Sequence, residues 1–222
     1  MIQNKKLKPI HRPLHNHTFV VVDLETTGIS RDDRICEIGM TKIMQGEIVD
    51  KFESLVNPEV SITNTVYHGI ENWMVDDAPV FRELSPLVVD FMKDSVLIAH
   101  NAPFDMRFLR YEFQRIGTDL SHYALCTLKI SRRLNPEFPN HRLDYLVDQY
   151  HIVNEWHHRA GADADSSAKI FLQMQDKLET IGRDTMQSLK SWGLPYNHRW
   201  CEEIDIGSTT GEANVLTRDD LV

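Results

Sequence analysis

Asp23 and Glu25 stand two residues apart in V-V-D-L-E-T-T-G, at the end of a β-branched run. In an extended segment, period-two alternation places both side chains on one face. Two carboxylates so placed can hold a hard cation such as Mg²⁺ or Mn²⁺. The pair alone carries little weight: with 33 acids in 222 residues, roughly five acid-x-acid pairs arise by chance. Two further stretches add weight. His100-Asn101-Ala102-Pro103-Phe104-Asp105 follows an apolar, strand-like run and opens a helical pattern, so Asp105 lies one turn into a helix that starts at a sheet edge. An acid there is also what a helix dipole favours. In His158-Arg159-Ala160-Gly161-Ala162-Asp163, the Asp begins the last amphipathic helix and His158 lies just upstream, on an expected mobile loop. Histidine titrates near neutrality and is the usual residue for taking a proton from water, although a lone surface histidine is equally common.

Brought together, Asp23, Glu25, Asp105 and Asp163 would repel one another unless cations intervene. Two divalent ions roughly 3.5–4 Å apart relieve that repulsion and form the clamp used in phosphoryl displacement. Arg159 is the one nearby cation within these motifs that offers another neutralisation.

The elements that must position these acids are legible from periodicity. Thr18–Asp23 reads as a buried strand, Ile35–Ile43 and Glu47–Leu55 as a hairpin across Gln45-Gly46, and Ser95–Ala99 and Tyr123–Thr127 as two more strands. Helical spacing marks Pro79–Lys93, the stretch carrying Phe104, Phe108, Leu109 and Ile116, then Arg142–Tyr150 and Asp163–Leu178. A β-hairpin followed by alternating helix and strand predicts an α/β fold, a mixed sheet flanked by helices. Three parts are expected: a polar, loosely held arm over 1–17, a catalytic domain over 18–180, and a polar tail over 181–222 outside the core.

A net charge of −9 argues against tight generic binding to a phosphate backbone, which needs a basic footprint. It does not exclude an enzyme that borrows positive charge from bound metal. The apolar runs are strand-sized and the lysines of Met1–Pro9 precede no apolar stretch, so a cytoplasmic location is expected. Cys36, Cys126 and Cys201 are widely separated and suit a reducing compartment.

Taken in order, D-L-E-T-T-G, H-N-A-P-F-D and H-R-A-G-A-D resemble the three motifs of the DEDDh 3′–5′ exonucleases, the family of the epsilon proofreading subunit of bacterial DNA polymerase III. The resemblance covers about 18–178, including R-I-C-E-I-G at 34–39 and Y-H-G-I at 67–70. It implies an RNase H-like fold with a five-stranded mixed sheet and two divalent ions, Mg²⁺ or Mn²⁺. By position, Asp23 would bridge both metals, Glu25 and Asp163 would complete the nucleophile-side metal, Asp105 would support the second, and His158 would deprotonate the attacking water. Thr26, Thr27, His68 and Phe104 match positions lining the pocket for the terminal nucleotide. Phe104 suits base or sugar packing and equally suits a helix residue facing the core. Gly161-Ala162 departs from the bulkier residues that relatives often carry there.

The reading that follows is a metal-dependent 3′–5′ exonuclease that shortens single-stranded DNA or frayed 3′ ends to 5′-mononucleotides, in proofreading or repair, with a DNA polymerase or sliding clamp as candidate partners. T-T-G after Glu25 favours DNA over the rival RNA-trimming activity of the RNase T or oligoribonuclease kind. A non-catalytic nucleic-acid-binding domain is the rival of another class, and all five residues of the constellation are present against it. In the tail, Gln187-Ser188-Leu189-Lys190-Ser191-Trp192 loosely resembles a clamp-binding peptide; the alternative is that Leu189 and Trp192 pack on the core as a helical turn.

Overall fold

The computed structural model describes residues 9–153 and 159–194. The hairpin forms as its pattern demands: β1 (Phe19–Thr26), β2 (Ile35–Met44) and β3 (Glu47–Leu55) are antiparallel neighbours. Gln45 (φ 54°) and Gly46 (φ 81°) turn β2 into β3 with two positive-φ residues, the backbone that matches strand twist in a tight hairpin. After α1 (Asn72–Val75) and α2 (Phe81–Met92), β4 (Val96–Ala99) returns parallel to β1. Beyond α3 (Ala102–Arg115), β5 (Ala124–Cys126) pairs parallel with β4, and α4 (Thr127–Leu134), α5 (Leu143–Gln149) and α6 (Ala160–Thr180) complete the domain. The sheet order is β3-β2-β1-β4-β5, a five-stranded mixed sheet, as the motifs implied.

Helices cover both faces. Phe19, Asp23 and Glu25 share one face of β1, and α6 lies on that side, with Phe171 against Phe19 at a 5.0 Å centroid separation. On the other side α2 is anchored by Phe91 against Phe52 of β3 and by Phe81 edge-on to Phe113 of α3. With both faces covered, Phe19–Val22 are buried at every position, which explains the unbroken apolar run. Cys36 and Cys126 are buried small side chains; Cys201 lies outside the described residues. No helix among the described residues is long and apolar enough to cross a membrane.

Two expectations are corrected here. The stretch 9–17 is not a loose arm: Leu14 is buried in the main core, and its N–H donates to the Asp184 carbonyl at 2.6 Å. Nor does the core stop at Thr180. Met186, Leu189 and Leu194 belong to it, and the Gln187 N–H donates to the Ile10 carbonyl at 2.9 Å. Ser188–Trp192 forms a 3₁₀ turn that buries Leu189, with Arg183 stacked 5.4 Å from the Trp192 ring centroid. A buried Leu189 favours the packed-turn alternative over a clamp peptide. Polarity concealed this segment, because its apolar residues are few and each fills a separate gap in the core.

Candidate active site

The site gathers at the carboxyl ends of the parallel strands. At the end of β1 the register slips between Glu25 and Thr26, a bulge that re-aims the chain just past the acids. Asp23, Glu25 and Asp163 converge here, with one carboxylate oxygen from each lying within 4.8 Å of the others. Glu25 and Asp163 are buried and Asp23 is partly exposed. Three hard oxygen donors this close, two of them out of water, suit a divalent cation, which would relieve the repulsion of like charges at that range.

Asp163 reaches this place because α6 comes unusually near the sheet. A Cβ on Gly39 of β2 would overlap the carbonyl carbon and oxygen of Ala160, and one on Gly161 would overlap the Glu53 carboxylate. Gly39 is the register partner of Asp23, and Glu53 of Gly39, so the first turn of α6 lies across one row of the three strands. The glycine at 161 thus sits where a side chain would meet Glu53. Gly39→Ala sets a methyl against backbone, and we expect it to displace that turn, costing at least ~1–3 kcal/mol as overpacking does and about 10²-fold in turnover. Gly161→Ala meets a movable carboxylate and should be milder in both. Thermal unfolding and single-turnover rates of the two variants check the ranking.

Among the described residues helix α6 has no local cap; its first residue is preceded by Arg159, whose side chain makes no capping bond. Glu37 of β2, buried and directly across the strand pair from Glu25, takes that place. Its Oε2 accepts the Ala160 N–H at 2.9 Å, while its Oε1 accepts from Arg159 Nε at 2.8 Å and from the guanidinium's second nitrogen. These bonds hold the Arg159 guanidinium firmly charged, and the fields of Glu53 and Glu25 add to the effect. In the sequence Glu37 stands within R-I-C-E-I-G with no role legible for it. The signal was an acid interrupting the apolar run Ile35–Met40.

Asp105 is buried in the first turn of α3 and lies outside the three-acid group. Asn101, left-handed at φ 86°, swings the chain from β4 into that helix, and Pro103 sits in its first turn. His158 lies outside the described residues. Thr26 and Thr27 are buried, and their hydroxyls donate to the Gly28 carbonyl (2.7 Å) and to Asp33 Oδ1 (3.0 Å). His68, also buried, accepts the Ile70 N–H at Nδ1 (3.0 Å) and approaches Asn64 Oδ1 through Nε2 (3.4 Å). Asn64 in turn donates to the Thr26 carbonyl at 2.9 Å, which ties the His68 loop to the end of β1. Phe104 is half-buried against the core, its ring tilted against Phe108 (4.9 Å) with Arg107 over it. It therefore joins the core while keeping an exposed portion.

His100, next to this edge, is a structural pin. It lies 2.9 Å from both Thr127 Oγ1, at Nδ1, and the His141 carbonyl, at Nε2. The carbonyl needs a proton on Nε2, so the neutral ring accepts the Thr127 hydroxyl at Nδ1. Burial pushes its pKa down to about 4, aided by Arg132. A histidine depressed by folding stabilises fully above its unfolded value near 6.5, and that stability is lost as pH falls towards 4. The loss should be on the order of 3 kcal/mol. Urea unfolding between pH 7 and pH 4 should therefore be steeper in pH for the natural chain than for His100→Gln.

The RNase T-type exonuclease family matches residues 20–171. The chain belongs to this exonuclease family. Such exonucleases hydrolyse nucleic acid from an end and depend on divalent metal. Among similar proteins, a PolC-type DNA polymerase III of Caldanaerobacter subterraneus subsp. tengcongensis is 41% identical over 176 residues, 78% of this exonuclease chain. The matching stretch is 13% of that relative, so the chain spans about an eighth of its length. A structure described as Exonuclease X in complex with 5′ overhanging duplex DNA is 26% identical with a TM-score of 0.64, covering 79% of this chain and 99% of that one. E. coli Exonuclease I in complex with a dT13 oligonucleotide shares the fold at TM-score 0.70 and 16% identity, over 79% of this chain and 46% of that one.

Proposed function

We propose that this exonuclease removes 5′-mononucleotides from the 3′ end of single-stranded DNA, using Mg²⁺ or Mn²⁺. The observation that carries the reading is the convergence of Asp23, Glu25 and Asp163 within 4.8 Å in a chain of this family. These three acids, with Asp105 at the neighbouring helix start, would hold two metals; when bound, these supply positive charge to the scissile phosphate and the departing 3′-oxygen. The chain's own residues do the rest. Glu25 and Asp163, being buried, keep their oxygens fixed, so little reorganisation remains at the moment of reaction. The Asn64 bridge between His68 and the Thr26 carbonyl holds the pocket wall for the terminal nucleotide, and the exposed part of Phe104 offers its base or sugar an apolar surface. His158 takes the proton of the attacking water and passes it to solvent.

Unpaired ends suit a chain of negative net charge, which has little to offer a long duplex backbone. The PolC-type relatives support a proofreading or repair setting beside a polymerase. The decisive experiment is a time course on 5′-labelled single-stranded DNA and RNA with Mg²⁺ or Mn²⁺. Stepwise shortening from the 3′ end with 5′-mononucleotide release, faster on DNA, is expected. Products bearing 3′-phosphates, or digestion from the 5′ end, would overturn the reading, and a preference for RNA would transfer it to the RNA-trimming class.

His158→Ala should lower turnover by ~10²–10⁴ and change the acidic limb of the pH–rate profile. Full activity with an unaltered profile would move the role to His157 or remove it.

A further inference from the structure

We propose that Glu37 is a positioning residue for the metal site: it fixes the start of α6 and so sets the Asp163 carboxylate against Asp23 and Glu25. This rests on the exonuclease reading above. Three observations carry it. First, the Glu37 carboxylate is buried and serves both ends of one junction, the Arg159 guanidinium through Oε1 and the Ala160 N–H through Oε2. The first N–H groups of a helix need acceptors, and here the acceptor for Ala160 belongs to a strand residue 123 positions away rather than to the side chain of Arg159. Second, Glu37 and Glu25 are register partners on β2 and β1, so two carboxylates face the same side of the sheet. Like charges directly opposite destabilise a strand pair. Arg159 offsets that repulsion from above while leaving Glu25 to the metal cluster. Third, Gly39 admits the Ala160 carbonyl against β2 two residues along. The helix start is thus held by close backbone contact beneath and by a charged clamp at its tip. Asp163 follows one turn later, and its own N–H donates to the Arg159 carbonyl at 3.0 Å.

Nothing in this arrangement brings Glu37 to substrate; its effect passes through the placement of Asp163. Loss of the clamp should therefore weaken metal binding and turnover and leave substrate affinity nearly unchanged. The test compares the natural chain with Glu37→Gln, Glu37→Ala and Arg159→Ala. Mn²⁺ binding without nucleic acid is followed by electron paramagnetic resonance of the free ion. Amide hydrogen exchange of Ala160–Ala164 is measured in metal-free protein. A Mn²⁺ affinity reduced ~10–100-fold in Glu37→Ala, the usual effect of losing a residue that orients a ligand, is expected. Exchange of the first turn should quicken, kcat should fall and KM should stay within about threefold. Glu37→Gln keeps an oxygen for the Ala160 N–H and should recover part of the loss, and Arg159→Ala should fall between the two. Natural Mn²⁺ affinity and exchange in a folded Glu37→Ala would overturn the proposal. Should that variant not fold, natural values in Glu37→Gln and Arg159→Ala together would overturn it equally. A natural chain that neither binds Mn²⁺ nor cuts DNA would instead refute the exonuclease reading, whatever the variants do.

Discussion

Asp23→Ala and Asp163→Ala should each lower turnover by roughly 10³-fold or more, because on the proposed reading each would remove an anchor for ions that supply several kcal/mol of charge stabilisation. The more telling result concerns stability. In chelator, Asp23→Ala should unfold at a temperature equal to or above that of the natural chain, since it relieves a site where three carboxylates lie within 4.8 Å. Asp163→Ala should gain less. Asp163 sits in the first turn of α6, where an acid is favoured by the helix dipole, so its removal sacrifices one favourable interaction while ending an unfavourable one. With saturating Mn²⁺ the order reverses, because the natural chain gains binding energy that the variants lack. Thermal melts of the three proteins with and without metal check all of this. A variant retaining activity within tenfold of the natural chain contradicts its assigned role.

The second large effect is on folding. A chain ending at Ile181 loses Met186, Leu189 and Leu194, all buried in the main core, and the partners of Ile10 and Leu14 as well. Large-to-small changes at single core positions cost ~2–5 kcal/mol each, and a domain has only about 5–15 kcal/mol in all. We expect the shortened protein to be largely unfolded and inactive. A chain ending after Leu194 should fold and keep full activity on short oligonucleotides. Circular dichroism and the 3′-end assay on both chains decide the matter; a folded, active chain ending at Ile181 would place the core boundary at the end of α6.

Local pattern is informative for some elements of this fold and silent for others. β2 and β3 were legible to within a residue, since alternation and a Gln45-Gly46 turn are local signals. α4 was not. Its buried residues are Thr127, Leu128, Ile130 and Ser131, with Leu134 partly buried, and two of the four fully buried ones are hydroxylic. Nor does Cys126 announce a helix start as a Ser or Asp would. The three acids that converge are all legible in the sequence, because their motifs are contiguous strings. Glu37 escaped because its meaning lies 122 residues away, in a helix cap that no local window contains. The tail segment escaped for the related reason that three scattered apolar residues make no period.

The hydrogen bonds that join Ile10 to Gln187 and Leu14 to Asp184 have a topological consequence. Among the described residues, the first segment of the domain and its last run side by side, so the fold is pinched there at a stem. A polypeptide interrupted by such a domain would find its two broken ends returned almost to where they parted. The entropic penalty of the interruption then resembles that of a short turn rather than that of a long open loop. Domains of this shape tolerate insertion into a host and circular permutation. Here the stem itself, where Ile10 meets Gln187 and Leu14 meets Asp184, lies apart from α6, β1 and β2, the elements that carry the acids or hold them in place.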